Sequence, residues 1–500
     1  MPKASEPYNI HIVSATHWDR EWYLTFQEFR IQLVDLIDHL LDIIDTDPDF
    51  KHFMLDGQII TVDDYLEIRP ERAAKIAELA KAGKLVVGPW YVLADEWLAS
   101  PEALVRNMRI GMESSKRFGK PMMVGYLPDE FGHIAQMPQI LNGFGIDCAF
   151  FMRGARPHEH GAQIWWQAPD GSRVLGHCQS YVDGGHLPDD VDQVFERFNE
   201  IKDTQSQRTK THTLLIMNCA DHQEPQPYLT KMIEAYNRKH PDKVAHSTLE
   251  EFFAELKASV GKLPTRVGEL RDDLRCMNGV SLRETLSSRM FNKQANQRTE
   301  DALEKWAEPF TGIAAMMGCG HSSAQLVYAW KLLLQNHPHD SICGCSIDRV
   351  HSQMTARFEG AQEIANKLTR RAFDSILSLS KSFILAKSDR SGIKEGDVGF
   401  SVWNPSSYQR SGLVVADVDL PGEWPAAEQL SLVDGKGKQI PAQVVSPEFD
   451  GQDYEARRGR IREVLDQAQQ AGVLTREDLA QISTLLTYTP DEWSATLESA

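Results

Sequence analysis

The sequence predicts an α/β domain built on a parallel sheet, followed by a helical bundle and a partial β-rich C-terminal region. Three observations carry this. Over the first 220 residues, short β-rich runs alternate with longer helical patterns, the rhythm of βα units. From about Arg298 to Phe383 the apolar period becomes that of helices. Val398–Val445 then returns to strand-like runs separated by Pro and Gly turns.

The strand runs are Asn9–Ser14, His52–Leu55, Leu85–Val87, Met122–Leu127, Ala149–Met152 and Thr213–Met217. Polar residues follow five of these six: His17 and Asp19, Asp56, Asp95 and Glu96, Asp129, and Asp221 with His222. The carboxyl ends of parallel strands form the active-site edge of α/β sheets. These residues are therefore expected to line one cleft, although at any single position they would also serve simply to punctuate a loop.

In the helical stretch, Leu326, Trp330, Leu333 and Leu334 share one face, as do Ile364, Leu368, Phe373, Ile376 and Leu377. The His337–Gly344 interruption reads as one functional loop within the bundle. Ser388–Asp397 is Gly-, Ser-, Asp- and Lys-rich, a linker, and Leu413–Val418 and Gln439–Val444 read as strands beyond it. The last 50 residues contain no lysine and carry helix-start signals at Thr475-Arg476-Glu477-Asp478 and Thr489-Pro490-Asp491-Glu492. Their apolar stripes (Ile461, Val464, Leu465, Ala468; Leu474, Leu479, Ile482, Leu485, Leu486) need a partner surface. The tail is expected to pack back on the chain or to mediate homo-oligomer formation; a loosely attached tail is the alternative.

At 500 residues the chain is long enough for about three domains. Its 53 Lys+Arg against 71 Asp+Glu leave a net charge of −18, which repels phosphate backbones and anionic headgroups. Neither nucleic acid nor a membrane surface is an expected partner. There is no run of about 18 apolar residues and no signal-peptide core at the N-terminus. Seven cysteines, a sparse and odd count, fit free thiols in a reducing, cytoplasmic compartment.

Three segments carry chemistry. Thr16-His17-Trp18-Asp19-Arg20-Glu21-Trp22 follows the first strand, and an imidazole with a carboxylate two residues on is a normal metal-ligand pair. A loop ion pair is the plainer reading of His17 and Asp19, and Trp22 is either core or a platform for a sugar face. Tyr126-Leu127-Pro128-Asp129-Glu130-Phe131-Gly132-His133 projects Asp129 from a later strand end, or forms a Pro-Asp turn. Asn336-His337-Pro338-His339-Asp340-Ser341-Ile342-Cys343-Gly344-Cys345 breaks the bundle with two histidines and a carboxylate. The one-residue spacing of its cysteines, with no second pair, argues against a thiolate site.

Together and in this order, His-x-Asp-x-x-Trp, Asp-x-Phe-Gly-His and the bundle-loop His-Asp resemble glycoside hydrolase family 38, the class II α-mannosidases. The likeness runs over roughly residues 8–420 and includes Asn218-Cys219-Ala220-Asp221-His222 and Ser287-Ser288-Arg289. It implies an N-terminal α/β-barrel-like domain, a middle helical bundle and C-terminal β domains. By matching motif it implies one zinc ion per chain held by His17, Asp19, Asp129 and His339, binding the 2- and 3-hydroxyls of a mannose. Asp129 would also be the nucleophile of a retaining reaction. Trp22, Phe131, Asp221, His222 and Asp340 match substrate-contacting positions. The family's acid/base falls in Glu269-Leu270-Arg271-Asp272-Asp273-Leu274-Arg275, where Asp272 is the first choice and Asp273 and Glu269 follow.

The expected domains are 1–285 (α/β catalytic), 286–387 (helical bundle contributing a metal ligand), 398–450 (partial β domain) and 451–500 (helical tail). Family members run to ~800 residues or more, so the sequence reads as C-terminally truncated or fused. Three functions compete: a zinc-dependent retaining α-mannosidase acting on small oligosaccharides or mannosyl conjugates, a carbohydrate hydrolase using metal-bound water, and an inactive sugar-binding homologue. Arg153, Arg156 and His158, after a strand, would either meet a substrate phosphate or sit in a solvated loop.

Overall fold

A computed structural model of the chain describes residues 6–272, 281–320, 322–387, 402–415, 432–433 and 438–442. Two compact units divide it: Met1–Ile384 with Asn404–Gln409, and Leu385–Trp403 with Arg410–Ala500.

The first unit is an α/β domain whose sheets are almost wholly parallel. Strands β1 (Asn9–Thr16), β2 (Phe53–Leu55), β3 (Leu85–Val86), β8 (Thr213–Asn218) and β9 (Lys243–His246) form one sheet. β4 (Gly125–Leu127), β5 (Cys148–Phe151), β6 (Gln163–Gln167), β7 (Arg173–Cys178) and β10 (Thr265–Val267) form the other. β1 sits at the centre of the first, parallel to β8 along Asn9–Ser14 and to β2 at Ala15 and Thr16. Every residue of β1 after Asn9 is buried, as expected of a strand covered on both faces, with His11, Ser14 and Thr16 among the buried positions.

All six strand runs read from the sequence contain strands, the fourth shortened to Gly125–Leu127. β6, β7, β9 and β10 were not legible. Within these two sheets β6 and β7 are the antiparallel pair, turning at Ala168–Ser172, where Gly171 has φ 91°. Buried Gln163 and His177 face each other across that pair at 3.2 Å, so these polar side chains are paired inside the sheet.

The bundle follows as helices Met290–Asp301, Glu308–Met316, Ser323–Leu334 and Asp348–Lys387, with a π-helical stretch at Ala302–Ala307. It begins eight residues before the expected Arg298. Leu326, Trp330, Leu333 and Leu334 join the same buried cluster as Leu93, Leu104 and Phe118 of the α/β part. Bundle and sheets therefore share one core, and the His337–Gly344 loop is carried rigidly to the strand ends. Such a shared core excludes water across the boundary and stabilises it by about 25 cal/mol per Å² of apolar surface buried.

In the second unit, Leu432–Val433 pairs antiparallel with Gln439–Ile440, within the expected second run. The first run, Leu413–Val418, is not a strand in its described part, Leu413–Val415. Leu413 is 95% exposed, so it lacks the packing that stabilises a strand. The expected tail helices at 451–500 lie outside the described residues. Among the described residues, no helix is long and apolar enough to cross a membrane.

Candidate active site

His17 is the first residue past β1. Its amide donates to Ala220 O (3.0 Å) and its carbonyl accepts from His222 N (2.7 Å), so the β1–β8 ladder holds it in place. Behind it the chain leaves β2 through two left-handed residues, Asp56 (φ 54°) and Gly57 (φ 62°). A Cβ on Gly57 would lie 2.7 Å from Tyr126 Cδ1, so only glycine fits this turn. The turn brings the fully buried Asp56 carboxylate to His17 Nδ1 (Oδ1, 3.1 Å) while Oδ2 accepts from Trp18 N (2.7 Å) and Gln58 Nε2 (2.8 Å). With Nδ1 occupied, His17 presents Nε2 outward, as a metal-ligating imidazole does.

The opposing histidine comes from the bundle. Pro338 breaks the helix, and the loop is tied to the α/β part by His339 N to Leu93 O (3.2 Å) and Asp95 N to His337 O (3.0 Å). Ser341 Oγ donates to Glu21 Oε1 (2.8 Å), and Arg357 pairs with the same fully buried carboxylate while its Nε reaches Asn336 Oδ1 (2.5 Å). One buried acid thus links the His17 segment to the His339 loop.

These elements focus four side chains on one point. Asp19 Oδ1 is 3.2 Å from His17 Nε2 and 3.4 Å from His339 Nε2, and Asp129 Oδ2 is 3.4 Å from His339 Nε2. Ligand atoms of His17, Asp129 and His339 lie within 4.8 Å of one another, as do those of His17, Asp19 and Asp221, and those of Asp19, His339 and Asp340. Both Nε2 atoms are buried and make no hydrogen bond. Buried polar atoms without partners are costly. Two imidazole nitrogens and two carboxylates around them are a donor set that fits a divalent cation.

The electrostatics agree with a site built for positive charge. Burial disfavours a charged imidazole at His17, but Asp56 and Asp19 outweigh it and hold the pKa well above its ordinary value. Burial likewise opposes His339, yet Asp340, Asp129 and Asp19 raise it to about 10. Asp129 is held below the usual carboxylate range, against burial, by His339 and Arg153. Asp340 is pushed up to about 7 by burial.

The other expected residues divide. Phe131 packs edge-on against His339 (5.3 Å). Asp340 lies 4.0 Å from His339 Nε2 and accepts from Cys345 Sγ (3.1 Å). Exposed Asp221 accepts from Tyr181 OH (2.7 Å). His222 stands behind the cluster: its ring stacks on Phe29 (4.1 Å) and its Nε2 donates to Asp19 O (3.1 Å), bracing the Asp19 loop. Trp22 packs edge-on against Tyr23 (4.9 Å), and its carbonyl accepts from Ile347 N (3.1 Å). Asp272 has both oxygens engaged, by Arg156 (Nη2 to Oδ1 and Nε to Oδ2, each 3.1 Å) and by Arg266 (3.4 Å). Glu269 is exposed, and Asp273 lies outside the described residues.

Sequence reasoning missed three neighbours. Asp56 was visible as a polar strand end, but not as the support of His17. Tyr181, 4.8 Å from the His17 ring, sits in the Gln179–His186 loop, which carries no motif. Arg153 offered itself as a phosphate contact; instead its Nη2 pairs with Asp129 Oδ1 at 2.6 Å.

The chain is similar to known proteins over most of its described length. The glycosyl hydrolases family 38 N-terminal domain matches residues 7–273, and the alpha mannosidase middle domain matches residues 281–376. A putative mannosylglycerate hydrolase of Halalkalibacterium halodurans is 40% identical over 367 residues, 70% of this chain and 40% of that protein. Alpha-mannosidase 2C1 of Homo sapiens is 26% identical over 378 residues, 73% of this chain and 35% of that protein. The crystal structure of an alpha-mannosidase from Enterococcus faecalis V583 superposes with a TM-score of 0.72 at 37% identity, covering 74% of this chain and 43% of the other. The chain thus spans about 40% of the length of the curated relatives it matches. It belongs to glycosyl hydrolase family 38.

Proposed function

We propose that the chain is the catalytic part of a zinc-dependent retaining α-mannosidase acting on terminal α-mannosides of small oligosaccharides or mannosyl conjugates. The observation that carries this reading is the convergence of His17, Asp19, Asp129 and His339, drawn from three distant segments, on one buried point. The zinc, held by these four, would supply a Lewis acid for two adjacent sugar hydroxyls. Residues 1–285 would form the catalytic domain and 286–387 the bundle that delivers His339. The six cysteines among the described residues are free thiols, which supports a reducing, cytoplasmic setting.

Asp129 is the nucleophile in this account. Arg153 and His339 hold its carboxylate ionised, so an oxygen lone pair is available to attack the anomeric carbon. The C–O bond to the leaving group breaks as a general acid gives that oxygen a proton, leaving a glycosyl ester on Asp129. The conjugate base then takes a proton from water, which attacks the same carbon and releases Asp129. Asp272 is the proposed acid/base, with Asp273 and Glu269 behind it. Proton delivery from Asp272 requires one of its arginine pairs to open. Phe131 packs on the sugar, while Asp340 and Asp221 accept from its hydroxyls.

Trapping with a fluorinated mannosyl reagent tests the reading. A stoichiometric adduct on Asp129, identified by peptide mass, is the expected result; turnover of aryl α-mannosides with no adduct on Asp129 would contradict it.

A further inference from the structure

Two carboxyl-bearing segments must act on one bond in the proposed reaction, and a single turn holds them together. The segment after β10 runs back along the strand ends and is fixed at three points. Trp166 Nε1 donates to Gly268 O (2.8 Å), Leu270 exchanges both backbone hydrogen bonds with His133 (2.8 and 3.0 Å), and Asp272 N donates to Gly154 O (3.1 Å). The approach is close: a Cβ on Gly154 (φ 78°) would sit 2.2 Å from Leu270 O, and one on Gly132 would sit 3.1 Å from it. Glu269 and Asp272, on either side of Leu270 and Arg271, are thereby tied to the segment that carries Asp129.

The side chains that back this contact come from Asp95-Glu96-Trp97. Buried Glu96 takes two donors from the Asp129 side: His133 Nδ1 to Oε1 (2.7 Å) and Ile134 N to Oε2 (2.9 Å). The His133 ring is wedged edge-on between Phe151 (5.5 Å) and Trp166 (5.6 Å), so these rings and Glu96 fix it. Half-buried Trp97 takes the other side, its ring lying 4.2 Å from the Arg271 guanidinium, a stacking that sets the guanidinium plane. Asp95 faces the bundle: its amide donates to His337 O (3.0 Å) and its Oδ2 accepts from Cys343 Sγ (3.3 Å). Its Oδ1 closes the turn by accepting from Trp97 N (2.9 Å) and Leu98 N (2.8 Å). Three consecutive residues therefore touch the nucleophile segment, the acid/base segment and the loop bearing His339. Asp95 and Glu96 are also the strand-end acids that neither the metal cluster nor the catalytic roles absorb.

We infer that Glu96, through His133, and Trp97, through Arg271, are positioning residues that set the reach of the general acid/base to the glycosidic oxygen beside Asp129. Proton delivery needs the acid within about 2.6–3.2 Å of that oxygen, and a misplacement of about 1 Å costs on the order of a hundredfold in rate. A carboxylate holding two buried donors on one side, and a stacked guanidinium on the other, resist such a shift. The inference rests on the retaining mannosidase reading and deepens it: the same turn holds the acid/base whether Glu269 or Asp272 supplies the proton.

Leaving groups separate a displaced acid from general damage. Methyl α-mannoside needs its leaving oxygen protonated; 2,4-dinitrophenyl α-mannoside does not. Glu96→Gln keeps one of the two acceptors. In the zinc-loaded variant, kcat/KM for the methyl glycoside should fall roughly ten- to a hundredfold, and that for the dinitrophenyl glycoside by less than about threefold. Its kcat on the dinitrophenyl glycoside should fall, because water attack on the glycosyl ester needs the same group as base. Azide, which attacks without a base, should restore it. Trp97→Ala reaches the segment from the opposite side and should show the same pattern if Glu96→Gln fails to fold. Equal loss on both glycosides, or none on either, overturns the inference. Hydrogen exchange gives a reading without turnover: the peptide spanning Leu270–Asp272 should lose protection in Glu96→Gln while β1 and β8 keep theirs. That pattern sustains the positioning role even if the wild type cleaves no mannoside, in which case the mannosidase reading alone falls. Unchanged protection of that peptide overturns the role.

Discussion

The site is assembled from two regions that hold their residues by different means. At the sheet edge, His17, Asp19 and Asp129 continue strands, so the parallel ladder and the turn at Asp56–Gly57 aim them. In the bundle, His339 and Asp340 sit on a one-turn helix, His339–Cys343, that has no ladder of its own. That loop is aimed by what it docks on: Leu93 and Asp95 through the backbone, and Glu21 through Ser341 and Arg357. Sheet-edge ligands are set by local chain geometry; the bundle ligand is set by a domain contact. The first kind should survive damage to the other region, and the second should not.

The largest effect separates chemistry from assembly. Asp129→Ala should lower kcat by about 10⁴-fold or more, the scale for losing a nucleophile. It unpairs Arg153 but leaves the supports of both histidines intact, so the thermal midpoint of the metal-free protein should fall less than in a variant that breaks the Glu21–Arg357 pair. A variant with near wild-type kcat would remove Asp129 from the reaction.

Next in size is the joint itself. Glu21→Gln leaves the Arg357 guanidinium in a protein interior without its counter-charge, and breaking a buried pair from one side costs about 3–5 kcal/mol. The account expects lower stability together with weaker metal binding, because the His339 loop is loosened. Denaturant unfolding and metal titration on one preparation check both. Lost stability with unchanged metal affinity would show that Glu21 does not aim His339.

The sheet-edge counterpart should be gentler on the fold and harder on the metal. Asp56→Asn keeps the shape of the side chain but weakens the hold on His17 Nδ1, and such changes behind a ligand cost roughly 10–100-fold in metal affinity. A competition titration against a coloured chelator reads this directly. Unchanged affinity would assign Asp56 to the turn alone.

The smallest effect concerns the loop bearing Tyr181. Asp183 accepts from Met217 N (3.2 Å), Gln179 Nε2 (2.8 Å) and Gln205 Nε2 (3.0 Å), and burial pushes its pKa up to about 7. A carboxyl raised above its unfolded value of about 4 contributes stability that is present below pH about 4 and lost as pH rises through about 7. Asp183→Asn should therefore flatten the fall in stability between those limits, by up to one proton's slope, and leave the profile above pH 8 parallel to wild type. Urea unfolding from pH 4 to pH 8 checks it; parallel curves throughout would show that Asp183 does not titrate there.

This contrast also explains what the sequence disclosed. Strand ends can be read because β1, β4 and β8 are buried, mostly β-forming runs followed by strongly polar residues, which is why His17, Asp19, Asp129 and Asp221 stood out. The bundle loop was legible from Pro338, which cannot continue a helix. Partners fixed by tertiary approach left no local mark. Tyr181 and Arg153 matter through neighbours that are distant in sequence. The polar-flanked pair β6–β7 hides its burial in hydrogen bonds that only the fold supplies.

On this reading, sheet-edge and bundle residues share one metal ion. Zinc stoichiometry by elemental analysis, on wild type, His17→Ala and His339→Ala dialysed against the same buffered zinc, tests it most directly. One zinc per wild-type chain is expected, with most of it lost in each variant, although the two histidines come from different regions. Full occupancy in His339→Ala with loss only in His17→Ala would contradict it, because the bundle would then contribute no ligand.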